Sequence, residues 1–350
     1  MGVSMRYKVF GDRTGLKVSE FALGTGMLGK AYGYGTEPDE ALKILEGYAE
    51  AGGNLIDLSD AYQGGESERL IGSFVGNKRN DFVLISKYTR SSQANPSLGV
   101  LGNSRKVMVQ AVEESLKRLK TDHIDIYLAH LDDAVTPIEE IVRGFDDLAR
   151  AGKIVYGGLC NFPAWRVATA ATIADLRGWL PIAAVQLEYS LIERTTEREL
   201  LPMAKAMGLG VLGYSPLAAG ILTGKYRKGE KGRATEFKAG VPQAGGDHEA
   251  LLDVVIAVAA ELQSDPAKVA IAWVSAKGVI PILGASTRLQ LDANLGASLI
   301  RLDAEQIARL DKVSAIPLGY PQERLRSEGV RAMLTGNRWD QIDRPVRVVR

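Results

Sequence analysis

Residues 124–160 read IDIYLAHLDDAVTPIEEIVRGFDDLARAGKIVYGGLC and hold one full period of an alternation that repeats along the chain. IDIYLAH is a short, β-rich apolar run. TPIEEIVRGFDDLARAG has apolar residues at three-and-four spacing, with a proline at its start and a glycine at its stop, which is the pattern of a helix with one buried face. IVYGGLC returns to the strand pattern. Outward from this unit the same reading finds strand candidates in SEFALG, NLIDLS, FVLISK, AAVQLEY, GVLGYS and VIPILGA, with helices such as PDEALKILEGYAEAG and RKVMVQAVEESLKRLK between them. Strand then helix, eight times, is the arithmetic of an α/β (β/α)8 TIM barrel, whose usual length of ~250 residues leaves room here for additions.

The additions are visible as departures from the period. YKVFGDRTGLKVSE predicts an N-terminal β-hairpin over about residues 6–20 with its turn at Gly11-Asp12. The barrel then runs over about 18–315, with a long Gly/Lys-rich connection over 215–246 and an irregular C-terminal tail over about 316–350. No low-complexity linker interrupts the chain, so residues 1–350 are expected to form a single domain. LGTGMLG at 23–29 matches G-x-G-x-x-G, but further glycines and Pro38 follow before helical periodicity begins. A dinucleotide-binding helix would already have started by then, so these glycines are read as a loop.

Composition narrows the partners. The 350 residues are 46% hydrophobic and 24% charged with a net charge of +1, and Lys and Arg are dispersed, so nothing advertises nucleic acid or a membrane surface. No apolar run approaches the roughly 20 residues of a membrane span and the N-terminus lacks a signal core, which predicts a cytoplasmic protein. One cysteine, Cys160, forms no internal disulfide, and three scattered histidines show no metal-ligand spacing. A small molecule is the expected partner, no metal is expected, and an oligomer is compatible with the sequence.

In this fold, functional groups gather at the carboxyl ends of the strands. There the sequence places Asp57, with Tyr62 in the loop that follows, Lys87, His130 and Asn161. A phenol with a pKa near ~10 is a poor acid at neutral pH. An ammonium at Lys87 would favour the phenolate of Tyr62, and Asp57 would hold that ammonium charged and aimed. His130 can orient a substrate oxygen, and either tautomer or the cation is compatible with the sequence. Such a group polarises and protonates a carbonyl oxygen, and hydride from a cofactor is the natural completion.

These residues resemble the aldo-keto reductase family, in the bacterial-type branch that also includes potassium-channel β-subunits, from Arg6 to about Ala315. DLSDAYQGGESERLIG is similar to the family's Asp-then-Tyr signature with Gly-x-Ser-Glu, LISKY to its lysine strand, and DIYLAHLDD to its histidine strand. The resemblance implies an NADPH-dependent carbonyl reductase, reversible as alcohol oxidation with NADP+, whose catalytic residues are Asp57, Tyr62, Lys87 and His130. It departs from the family at Leu58, Ser59, Gln63 and Leu131. For the cofactor it implies Gly24, Thr25 and Asp57 near the nicotinamide ribose, Asn161 and Gln186 on the carboxamide, and Tyr214 stacked on the ring. Ser215, Leu217, Gly220, Leu222 and Lys225 would fold over the pyrophosphate. Gly284, Ser286, Arg288, Gln290 and Asn294 would take the adenosine end, with Cys160 and Ala293 replacing the usual serine and glutamate.

The loops after strands seven and eight are also the usual phosphate site of such barrels, and a guanidinium at Arg288 suits a 2′-phosphate, which favours NADP over NAD. Met27, Tyr62, Tyr88, His130 and Leu131 are expected to contact substrate. With Leu28, Tyr32, Tyr34 and Trp339 they offer an apolar, aromatic supply suited to aldehydes or cyclic ketones. The alternative implied by the same resemblance is a nicotinamide-binding regulatory subunit with slow or vestigial reductase activity.

Overall fold

The computed structural model describes residues 4–236 and 248–343. Eight parallel strands close into a barrel: β3 (Ala22–Gly24), β4 (Leu55–Asp57), β5 (Val83–Tyr88), β6 (Ile124–Ala129), β7 (Ile154–Cys160), β8 (Ile182–Glu188), β9 (Gly210–Tyr214) and β10 (Ile280–Gly284), with β10 pairing back to β3. Every strand candidate read from the sequence falls on one of them. Ahead of the barrel, β1 (Tyr7–Val9) and β2 (Lys17–Ser19) form the expected antiparallel hairpin, with Lys8 opposite Val18.

Among the described residues the helices are α1 (Pro38–Glu50), α2 (Glu66–Val75), α3 (Arg105–Leu119), α4 (Ile138–Arg150), α5 (Ala164–Arg177), α6 (Leu200–Ala206), α7 (Arg233–Glu236), α8 (Glu249–Glu261), α9 (Pro266–Ala276), α10 (Arg288–Leu295), α11 (Ala304–Val313), α12 (Gln322–Arg326) and α13 (Glu328–Thr335). α4 shows why these segments become helices. Glu139 and Glu140 complement the positive end of its dipole, Arg150 the negative end, and Ile138, Ile141, Val142, Phe145 and Leu148 form one buried stripe. The segment after residue 316 is less irregular than its composition suggested, since α12 and α13 lie in it. The end of the 215–246 connection and the last residues of the 316–350 tail lie outside the described residues.

Two apolar layers result from the strand period of two. Val83 and Ile85 of β5 point into the barrel with Leu55, Ile126, Leu128, Leu212, Ile280 and Ile282, whereas Leu84 and Tyr88 point outward against the helices. The hairpin stoppers the amino-terminal end of the barrel: Phe10 and Val18 are fully buried in the inner layer. Gly210 is needed there, because a Cβ at that position would lie 2.5 Å from the Phe10 ring. With one end filled, the carboxyl-terminal mouth is left for chemistry.

Candidate active site at the barrel mouth

Inward-facing positions at the carboxyl ends of the strands bring the expected side chains together. Asp57 ends β4 and Lys87 lies one residue from the end of β5, and their side chains meet with Nζ 2.7 Å from Oδ1. The same ammonium donates to the Leu58 carbonyl at 2.7 Å and to the Tyr62 hydroxyl at 3.2 Å. Tyr62 opens a short 3-10 turn, Tyr62–Gly65, whose last residue has φ +81. That left-handed conformation favours glycine and lets α2 start while Tyr62 points back over the mouth. His130 follows β6, with its ring 5.9 Å from that of Tyr62 and nearly perpendicular to it.

Electrostatics at the mouth follow from burial and pairing. Burial works against the Lys87 ammonium, but Asp57 and Tyr62 together outweigh it, so Lys87 is held charged above its ordinary range. Tyr62 departs from expectation: burial penalises its phenolate more than Lys87 relieves it, and its pKa is raised rather than lowered. It therefore remains a protonated phenol at neutral pH, hydrogen-bonded to a fixed cation. For His130, burial and then the charges of Lys87 and Arg90 push the pKa down to about 2, so of the forms left open by the sequence the cation is removed.

A second run of polar contacts extends from Asp57. Its Oδ1 also accepts from Gln186 Nε2 at 2.7 Å, and Gln186 Oε1 accepts from the Cys160 thiol at 3.4 Å. Asn161 donates to Cys160 Sγ at 3.2 Å and to the His130 carbonyl at 3.1 Å, and accepts from the Tyr214 hydroxyl at 2.9 Å. Asn161, Gln186 and Tyr214 share a cavity of about 370 Å3 with Glu188 and Glu193. Two carboxamides and a flat ring lining one cavity are the polar groups and the stacking surface that a nicotinamide carboxamide and ring require, so the residues present fit that end of the cofactor.

The remaining expected residues divide by what their side chains face. Gly24 ends β3 beside Asp57, whereas Thr25 is fully buried and donates to the Asp57 carbonyl at 2.8 Å, supporting the rim from behind. Ser215 and Gly220 lie in the loop after β9, both with positive φ, and Leu217 is only partly buried. Leu222 is fully buried in an apolar cluster with Trp273 and offers its backbone alone. Lys225 lies over the Tyr226 ring at 5.1 Å.

After β10, Gly284 is open, Gln290 Oε1 accepts from the Ser286 amide at 2.9 Å, and Asn294 donates to the Gly284 carbonyl at 3.1 Å. Arg288 lies on the same loop and helix start, but its guanidinium is engaged by Glu50 at 2.9 Å and Asp292 at 2.8 Å. The phosphate clamp read from the sequence is therefore held by two carboxylates.

Among the residues expected to meet substrate, Met27 is partly exposed and Leu131 is 41% exposed, both in loops at the mouth. Tyr88 is a correction. It alternates with Lys87 and so points out of the barrel, fully buried and stacked on Tyr127 at 5.4 Å. Leu28 is likewise core. Tyr32 and Tyr34 stand exposed beside the mouth, and the Tyr32 hydroxyl donates to the Ala61 carbonyl. Trp339 lies under Arg331 at 5.1 Å.

Several contributors were not foreseen. Gln63 donates to the Gly26 carbonyl at 3.2 Å and accepts from the Tyr32 amide at 3.2 Å, tying the loop after β3 to the Tyr62 turn. Ser67 and Glu68 of the Gly-x-Ser-Glu signature bind Thr25 and Ser86 respectively, which is structural work behind the mouth. Ser59 and Asp60 stand behind His130; the only sequence signal for them was that Ser59 departs from the family pattern. Among the described residues no helix is long and apolar enough to cross a membrane, and no group of three or more His, Cys, Asp or Glu could hold a metal ion.

Residues 20–315 match the sequence model of the Aldo/keto reductase family. The chain is similar to an uncharacterized oxidoreductase, YrpG, of Bacillus subtilis, with 34% identity covering 91% of this chain and 99% of the relative. It is 31% identical to an aryl-alcohol dehydrogenase of Pestalotiopsis microspora, covering 93% and 86% of the two chains, and 30% identical to a norsolorinic acid reductase of Aspergillus flavus, covering 90% and 82%.

Proposed function

Because the chain belongs to the aldo/keto reductase family, we propose that it reduces an aldehyde or ketone at the barrel mouth with NADPH, and oxidises the corresponding alcohol with NADP+, Tyr62 being the proton donor. The observation that carries this reading is the contact of 3.2 Å between Lys87 Nζ and the Tyr62 hydroxyl, with Asp57 2.7 Å from the same ammonium. When bound, the nicotinamide supplies the hydride. Asn161 and Gln186 would hold its carboxamide and Tyr214 would stack on its ring. Gly24 and the loops 215–225 and 284–294 would hold the rest of the molecule, and Ser286 and Arg288 are the basis for proposing NADP over NAD.

Proton transfer falls to the chain's own residues. A carbonyl oxygen placed between Tyr62 and His130 is oriented by the imidazole and receives the phenolic proton. Lys87 stabilises the phenolate that this leaves, and Asp57 keeps Lys87 charged. The reverse direction uses the same groups with the phenolate as base. Met27, Leu131, Tyr32 and Tyr34 give the approach an apolar and aromatic character, which favours aryl aldehydes and cyclic ketones. The names of the dehydrogenase and reductase relatives point the same way.

The test is consumption of NADPH, with NADH run alongside, across a panel of aldehydes, quinones and cyclic ketones. Turnover with NADPH supports the proposal. Tight NADPH binding without turnover on any member would overturn it in favour of a nicotinamide-binding regulatory subunit.

A further inference from the structure

Ser59 Oγ lies 3.2 Å from His130 Nδ1 and 3.2 Å from Asp60 Oδ1, and it accepts from the Ala61 amide at 3.3 Å. A hydroxyl has one proton and two lone pairs, and Ala61 takes one of the lone pairs. One donation and one acceptance are therefore left to share between His130 and Asp60. Ser59 cannot donate to both of them or accept from both.

His130 is neutral, so its ring carries one proton. Nδ1 is turned to Ser59, and Nε2 is the nitrogen left to meet a substrate oxygen. If Ser59 donates to an Asp60 carboxylate, it must accept from Nδ1–H, and Nε2 offers a lone pair. If Asp60 is a carboxylic acid and donates to Ser59, then Ser59 donates to Nδ1 and Nε2 carries the proton.

We propose that Ser59 and Asp60 form a relay that sets the tautomer of His130, the acid form of Asp60 presenting Nε2–H to the substrate oxygen and the carboxylate form withdrawing that donor and leaving a lone pair on Nε2. This rests on the carbonyl and alcohol reading of the site given above. Ser59 and Asp60 are positioning residues, since they act through His130. Their switch balances with one proton from solvent. That proton enters at Nε2, the Nδ1 proton passes to Ser59 Oγ, and the Ser59 proton passes to Asp60; the reverse sequence releases it.

The surroundings of Asp60 make both forms accessible. Asp60 is 3% exposed and faces Glu68 of α2, Arg118 of α3 and Tyr127 of β6, with Ser59 on its own loop. Glu68 is bound by Arg118 Nε at 2.6 Å and by the Ser86 hydroxyl at 2.7 Å. Burial and the Glu68 charge raise Asp60 to about 7, against the opposing pull of Ser59, Arg118 and the Ala61 amide. His130 is faced by Lys87, Tyr62 and Arg90, while Nδ1 is hydrogen-bonded to Ser59.

The experiment is 15N NMR of histidine-labelled protein from pH 5 to 9, with His130 distinguished from the other two histidines by the loss of its signals in His130→Gln. In the wild type the ring proton should move from Nε2 to Nδ1 with a midpoint near 7. Asp60→Asn and Ser59→Ala should each abolish the pH-dependent change, and Ser59→Thr, which keeps a hydroxyl, should restore it. A tautomer that does not change in the wild type, or that still changes in a folded Ser59→Ala, would overturn the relay. Should Ser59→Ala fail to fold, the wild-type titration and Asp60→Asn still decide. The relay and the functional reading fail separately: carbonyl turnover with a fixed tautomer removes the relay alone, and a switching tautomer without turnover on any carbonyl removes the function alone.

Discussion

Asp57 and Lys87 form an ion pair at 2.7 Å in which the lysine side chain is fully buried and the aspartate nearly so, and the pair leaves the ammonium 3.2 Å from the Tyr62 hydroxyl. A buried pair is costly to form and costlier to break, because the surviving charge has no water to return to. Asp57→Asn retains a hydrogen-bonding side chain but removes the countercharge. It should lower stability by about 3–5 kcal/mol, read by urea denaturation at pH 7, and should depress turnover as well. An unchanged midpoint would mean that the pair is not formed as described.

Arg288 is held by Glu50 and Asp292 on the exposed side of α1 and α10. If this guanidinium serves a 2′-phosphate, then removing one competitor should strengthen that service. Glu50→Gln is expected to tighten NADPH binding by roughly two- to fivefold, the range of an exposed ion pair, while leaving NADH affinity unchanged. Fluorescence titration with both cofactors checks it; equal effects on the two would remove Arg288 from cofactor choice.

Phe10 fills the closed end of the barrel, far from the mouth. Phe10→Ala should cost about 3–5 kcal/mol, the usual range for a buried aromatic truncated to alanine, and leave kcat unaltered in the folded protein. Thermal unfolding together with steady-state kinetics separates the two expectations.

Cys160 sits one contact from Gln186, but burial, the largest influence, pushes its thiol up to about 12. The thiolate is the reactive form, so iodoacetamide should not label the native protein at pH 8. Labelling should appear with denaturant in step with loss of the fold. The linkage has a definite sign: the unfolded thiol ionises first, so stability present below the ordinary thiol value is lost as pH rises towards about 12. Rapid labelling of the native protein would contradict the buried, protonated thiol.

How far the sequence could be read depended on whether the deciding interaction was local. All eight barrel strands were legible because a parallel strand covered on both faces opens as an apolar run, as Val83, Leu84 and Ile85 do in β5, where all six residues are buried. Asp57, Tyr62, Lys87 and His130 were legible because strand ends point to the mouth in this fold. Tyr88 was misread by adjacency to Lys87, where alternation along β5 turns it outward. The direction of the Tyr62 shift was misread because burial cannot be weighed before the barrel closes over it. The pairing of Arg288 was not legible because Glu50 lies far away in sequence and is brought near only by packing of α1 against α10. Ser59 stood out only as a departure from pattern for the same reason, its partner His130 lying in the loop after β6.

The central claim is that Tyr62 donates the proton, and Tyr62→Phe tests it most directly, since it removes the hydroxyl and keeps the ring beside His130. The measurement is kcat for carbonyl reduction by Tyr62→Phe alongside its NADPH affinity. A fall of roughly 100- to 10,000-fold in kcat with unchanged NADPH binding is the predicted result. Wild-type turnover in the phenylalanine variant would contradict it.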